Sequence, residues 1–159
     1  MKQYYQNFII RDWQQSDRQL AAAVISSVLS EYGLGWEAEG ADRDVLEVEE
    51  YYLKTGGEFW VIEHQNNIVG TGAYYPIERG DNAVEIRKMY ILPKFRGLGL
   101  GKYLLQELET AIFKRGFKQI WIETASILKE AVQLYETNGY IPTIGVETQR
   151  CDRVYMKVR

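Results

Sequence analysis

Apolar positions along the chain fall into two kinds of run, one spaced as on a helix face and one nearly continuous. Leu20, Ala21, Val24, Ile25, Val28 and Tyr32 recur at helical spacing until Gly33 stops them, and Ser16 with Gln19 three positions on forms a capping box, which predicts one amphipathic helix. A glycine-bearing loop over 33–40 follows. A second helix is expected from Asp42 or Asp44 to Lys54, closed by Gly56 and Gly57. Residues 8–11 suit a short first strand. Residues 59–63 and 68–74 read as strands of a hairpin turned at residues 64–67, and Gly80-Asp81-Asn82 leads into a longer strand over 83–92. Leu104, Leu105, Leu108, Ala111 and Ile112 mark a helix ending at Gly116. A strand over 118–123, a helix over 127–137 stopped by Asn138-Gly139, and a closing hairpin of 143–148 with 153–158 complete the order. Strands and helices in this order imply an α+β fold: one mixed, mostly antiparallel sheet of about six to seven strands flanked by about four helices.

Composition narrows the chemistry. With 159 residues and 46% hydrophobic content the chain fits one domain, residues 1–159, with a sizeable core, and 4 Trp, 12 Tyr and 5 Phe make that core aromatic. A net charge of −3 gives no global attraction to nucleic acid or to an anionic membrane. Cys151, the only cysteine, permits no internal disulfide and reads as a small core or hairpin residue. The lone His64, in a polar stretch, reads as a solvated turn residue, so neither a metal site nor a histidine triad is expected. The N-terminal residues lack a signal-peptide core and no apolar run approaches the roughly 20 residues that span a bilayer, so the expectation is a cytoplasmic protein.

The most informative segment is Arg96-Gly97-Leu98-Gly99-Leu100-Gly101-Lys102, between a predicted strand and a predicted helix. Alternating glycines let the main chain approach a ligand, and N–H groups at a helix start favour an anion, with Lys94, Arg96 and Lys102 adding charge. A Walker A loop is excluded, because Gly97 and Gly101 enclose too few residues and Tyr103 stands where Ser or Thr must bind magnesium. A dinucleotide fingerprint lacks its third glycine, with Lys102 in its place, although Glu123 imitates the ribose-binding acid; a dinucleotide-binding protein is kept as an alternative.

Arg96, Gly99 and Gly101 do satisfy R-x-x-G-x-G after the strand Val-Glu-Ile-Arg-Lys-Met-Tyr-Ile of 84–91. With the downstream GFKQIWIETASILKEAVQLYETNGY, the chain resembles the GCN5-related N-acetyltransferase (GNAT) family. The resemblance implies an enzyme that moves an acetyl group from acetyl-CoA, as co-substrate, to a primary amine of a small molecule or peptide by direct attack in a ternary complex. It implies that the main chain of Arg96, Gly97, Leu98, Gly99, Leu100, Gly101 and Lys102 holds the pyrophosphate, that Met89, Tyr90 and Ile91 pair with the pantetheine arm, and that the Met89 N–H polarises the thioester carbonyl. Tyr135 matches the family's general acid and Glu85 its occasional general base; the other readings are a core aromatic and a strand residue paired with Arg87. Leu128 stands where many members carry Asn, a departure that removes one pantetheine contact. Dimers are frequent in the family, so a homodimer is possible.

For the acceptor, residues 31–50 carry eight acids, Glu31, Glu37, Glu39, Asp42, Asp44, Glu47, Glu49 and Glu50, against the single base Arg43. Either they attract a cationic amine or they form a solvated face. From another class, a non-catalytic acyl-CoA-binding sensor would keep the fold without turnover.

Overall fold

The computed structural model describes residues 1–159. Its strands are β1 (Lys2–Tyr5), β2 (Phe8–Asp12), β3 (Glu58–His64), β4 (Asn67–Ile77), β5 (Ala83–Ile91), β6 (Gln119–Thr124), β7 (Ile141–Thr143) and β8 (Arg153–Val158). The helices are α1 (Arg18–Glu31), α2 (Arg43–Leu46), α3 (Leu100–Lys114) and α4 (Lys129–Thr137), with a π-type turn over Glu49–Leu53. One sheet of eight strands has the order β1-β2-β3-β4-β5-β6-β8-β7, one or two strands more than expected. Every neighbouring pair is antiparallel except β5 and β6. That single parallel pair follows from α3 crossing over between them, as a parallel connection needs. No helix is long and apolar enough to cross a membrane.

Both faces of the sheet are covered, which is why its central strands read as continuous apolar runs rather than alternating ones. In β3, Trp60 and Ile62 join the core cluster that contains Leu104, Leu105, Leu108 and Ile112 of α3 and Tyr135 of α4. Phe59 and Val61, pointing the other way, pack with Ala21, Val24, Ile25 and Leu29 of α1. Helix α3 also comes close to the sheet: a Cβ on Gly72 of β4 would stand 3.1 Å from a Leu104 methyl. Leu104 is fully buried, so Leu104→Ala is expected to cost about 2–5 kcal/mol of unfolding free energy in a denaturant titration. A loss below 1 kcal/mol would mean that this contact is not part of the central packing.

Five features differ from the expectations. The residue ahead of the first helix that caps reciprocally is Gln14 with Asp17, not Ser16 with Gln19. The second helix is broken into α2 and the π-type turn. Strand β1 was unforeseen, and the last hairpin pairs Ile141–Thr143 with β8, leaving 144–150 as a loop. His64 is no solvated turn residue: its ring lies 5.2 Å from Phe8 and 4.9 Å from Phe95, while Gln65 and Asn66 make the turn at positive φ.

Candidate active site

Strands β5 and β6 pair only as far as Ile86 with Ile122, and beyond that they part. The cause is on the β4 side, where the register shifts between Thr71 and Ala73, and Lys88 takes a φ of 55°. This is a bulge, which bends its strand. Three contacts hold it: the Thr71 hydroxyl donates to the Lys88 carbonyl at 2.6 Å, and the Lys88 ammonium donates to the Ala41 carbonyl at 2.8 Å and to Asp42 at 2.9 Å.

A cleft of about 350 Å³ opens where the strands separate. One wall is residues 86–91 of β5, and the other is 122–125 with Leu128, Ala131, Leu134 and Tyr135 at and within α4. Past Ile86 the cleft side of β5 has no strand neighbour, so its main chain is an open sheet edge. Of the expected pantetheine residues, Met89, Tyr90 and Ile91 all line this wall.

Gly97, Gly99 and Gly101 line the same cleft, as do Arg96 and Lys102. Gly97 and Gly99 have φ values of 79° and 80°, a region a side chain disfavours, and Gly99 is the N-cap of α3 with no side-chain cap, so the first-turn N–H groups remain available to an anion. These residues fit a pyrophosphate. Leu98 and Leu100 are absent from the lining: Leu100 is buried in the core and Leu98 is exposed, its carbonyl accepting from the Tyr5 hydroxyl at 2.8 Å. Arg96 spends its side chain on structure. It donates to the Ile91 carbonyl at 2.9 Å and makes a fork to Glu31 at 2.7 and 2.9 Å, tying loop to strand and α1.

Tyr135 packs its ring among Tyr140 and Tyr155, yet its hydroxyl has no hydrogen-bond partner in the protein and its residue lines the cleft. Burial pushes its pKa well above the usual tyrosine value, so it holds its proton at neutral pH. Glu85 lies one step behind the wall, 3.6 Å from the Arg87 guanidinium. Burial raises its carboxyl to about 7 against the opposing pull of Arg87, a value suited to accepting a proton near neutrality. Leu128 lines the cleft as an apolar residue. Cys151 is a half-buried wall residue, with its thiol pushed up to about 11 by burial and therefore protonated.

The acidic stretch does not line the cleft with free charge. None of the eight acids is among the lining residues. Seven are ion-paired: Glu31 with Arg96, Glu37 with Arg150, Asp42 with Lys88 and Arg150, Asp44 with Lys88, Glu47 with Arg43, Glu49 with Arg18 and Glu50 with Lys54. Neither a cation trap nor a solvated face describes them: they make structural contacts, and the cations that line the cleft beside them are Arg87, Lys88 and Arg150, which the sequence does not mark as acceptor residues. Their one sequence signal is Arg87-Lys88 inside an otherwise apolar strand. Glu123, the imitation of a ribose-binding acid, accepts from Arg79 at 2.8 Å and from the Thr148 N–H at 2.7 Å, which leaves the dinucleotide alternative without its acid.

Comparison with known proteins agrees with this geometry. The chain is 37% identical over 141 residues to the uncharacterized N-acetyltransferase YjgM of Escherichia coli strain K12, covering 85% of this chain and 83% of that one. The fold matches an acetyltransferase of the GNAT family from Staphylococcus aureus Mu50 with a TM-score of 0.88 at 22% identity, over 95% of this chain and 98% of that one. It matches yncA, a putative acetyltransferase from Salmonella typhimurium solved with its cofactor acetyl-CoA, with a TM-score of 0.75 at 18% identity, over 96% and 94%. A model of the Acetyltransferase (GNAT) family matches residues 22–140, and with an open β5 edge, an uncapped glycine loop at α3 and a tyrosine in the cleft, the chain belongs to that family.

Proposed function

We propose that this chain transfers an acetyl group from acetyl-CoA directly to the primary amine of a small molecule or peptide, within the cleft between β5 and β6. The observation that carries the reading is the parting of β5 from β6 beyond Ile86, which leaves a strand edge free beside the glycine loop. Pantetheine carries amides that can complete such an edge, and the loop N–H groups suit the pyrophosphate. The family relationship and the acetyl-CoA bound in the Salmonella structure support this choice of co-substrate.

Each residue then has a chemical task. The Met89 N–H, at the bulge, donates to the thioester carbonyl and favours the charge that develops on its oxygen. Glu85, directly or through water, takes the proton from the acceptor ammonium, because only the free amine carries a lone pair. Tyr135, protonated and without another partner, donates to the departing thiolate. The Cys151 thiol, protonated at neutral pH, is a poor nucleophile, which favours direct attack over an acyl-cysteine route.

The experiment is thiol release from acetyl-CoA over a panel of amines, beside a binding titration of acetyl-CoA. Amine-dependent release supports transfer. Binding with no release on any amine would favour the sensor.

Glu85 gives a pH test with two readouts of opposite sign. Wild-type kcat/KM is expected to fall below about pH 7 as the carboxyl gains its proton, and Glu85→Gln is expected to be slow and to lack that limb. Stability runs the other way. Between its usual 4.5 and about 7 the folded chain holds a proton that the unfolded chain has lost, so this group's contribution declines as pH rises through that window. Glu85→Gln is therefore expected to stabilise the fold at pH 8 by on the order of 1–3 kcal/mol relative to its effect at pH 4. A wild-type rate profile together with a pH-independent stability difference would leave Glu85 as an ordinary ion-paired residue.

A further inference from the structure

Three cations face the acceptor end of the cleft, and they are not equally matched. Lys88 has Asp42 at 2.9 Å and the Ala41 carbonyl at 2.8 Å. Arg150 makes a two-pronged contact to Asp42 at 2.7 and 2.6 Å. Arg87 has no polar partner closer than 3.5 Å: the Tyr75 hydroxyl and the Ala41 carbonyl stand at 3.5 Å and Glu85 at 3.6 Å, while Asp44 acts on its charge only through space. Its side chain is only 21% exposed. A mostly buried guanidinium with five N–H donors and no short contact is costly, and a carboxylate is the group that fits its planar fork.

We propose that the acceptor is an amino acid or a compound carrying a carboxylate close to its amine, and that Arg87 binds that carboxylate. This rests on the acetyl-transfer reading and adds the substrate class. Arg87 lines the cleft, and Glu85 stands beside it on the same face of β5. Arg87 presents a cation at the cleft wall and Glu85 a carboxyl one step behind it, so a single zwitterionic head meets both, with its carboxylate at Arg87 and its amine turned toward Glu85 directly or through water. The neighbouring cations are not available for this task, because Lys88 and Arg150 share the buried Asp42. A polyamine would bring a second positive charge toward Arg87 with no free acid in the lining of residues 31–50 to receive it.

The test compares amino acids, their carboxamides and their decarboxylated amines as acceptors at saturating acetyl-CoA. Amino acids are expected to lead by about 10–100-fold in kcat/KM, mainly through KM, the range of a charge-assisted hydrogen-bonded contact. Arg87→Lys keeps the charge and loses the fork, so it is expected to lose most of that preference. Arg87→Gln is expected to lose all of it. A retained rise in Tm with coenzyme A shows that each variant is folded, and Arg87→Lys carries the test if Arg87→Gln does not fold. Equal rates on amino acids and carboxamides, or a preference that survives these substitutions, would overturn the proposal. If no acceptor releases thiol, the transfer reading fails, and the carboxylate site is judged by binding. With coenzyme A present, an N-acetylated amino acid should raise the wild-type Tm more than its amide does, and not in Arg87→Lys. Equal shifts would overturn it.

Discussion

Tyr135→Phe is expected to lower kcat by about 10²–10⁴-fold while leaving acetyl-CoA affinity nearly intact, because it removes one proton donor and keeps the ring. Tyr135 is 4% exposed, its ring lies 5.9 Å from Tyr140 and 6.1 Å from Tyr155, and its hydroxyl makes no protein hydrogen bond, so the substitution breaks nothing in the resting fold. Tyr155, by contrast, donates its hydroxyl to Glu136 at 2.7 Å, and Tyr140 donates to Glu109 at 2.7 Å. Those two serve as controls, since Tyr155→Phe and Tyr140→Phe should cost stability rather than chemistry. Steady-state rates, a coenzyme titration and a melting curve on all three variants separate the cases. Full activity in Tyr135→Phe across pH would make Tyr135 a core aromatic.

Gly99→Glu is expected to weaken coenzyme binding by about 10–100-fold, comparable to losing one charge-assisted hydrogen bond to the pyrophosphate. Two effects act together. At a φ of 80° any side chain is disfavoured, and a Cβ would stand 2.6 Å from the Tyr5 hydroxyl, forcing that ring off its bond to Leu98 and its stack on Tyr103. The added carboxylate then repels phosphate at the start of α3. Gly99→Ala carries only the first effect and is expected to lose less affinity. Calorimetric titration with acetyl-CoA checks both, and unchanged affinity in Gly99→Glu would move the cofactor away from this loop.

The elements that position the cleft were legible because they are local. Apolar period marked α3 and β3 to β6, and three glycines after a strand marked the anion loop. What escaped depends on partners far apart in the chain. Strand β1 is an edge strand whose residues alternate between exposed and half-buried, so it carries no apolar signature. The acids of 31–50 read as a charged surface because their partners are remote: Asp42 meets Arg150 108 positions away and Lys88 46 positions away. The same contacts explain the broken second helix. Asp42 and Asp44 are drawn inward to Lys88, and Asp44 also accepts from the Tyr52 hydroxyl, so this segment serves a buried charge rather than a helical face. Arg87 escaped because its interest lies in the absence of a close partner, and spacing along a sequence carries no sign of that.

The most direct test of acetyl transfer by direct attack is mass spectrometry of a reaction containing protein, acetyl-CoA and an amine panel that includes amino acids. The expected result is one N-acetylated acceptor for each coenzyme A thiol released, with the protein mass unchanged when acetyl-CoA is present alone. Bound acetyl-CoA with no acetylated acceptor, or a protein that gains an acetyl group at Cys151 before any acceptor is added, would contradict it.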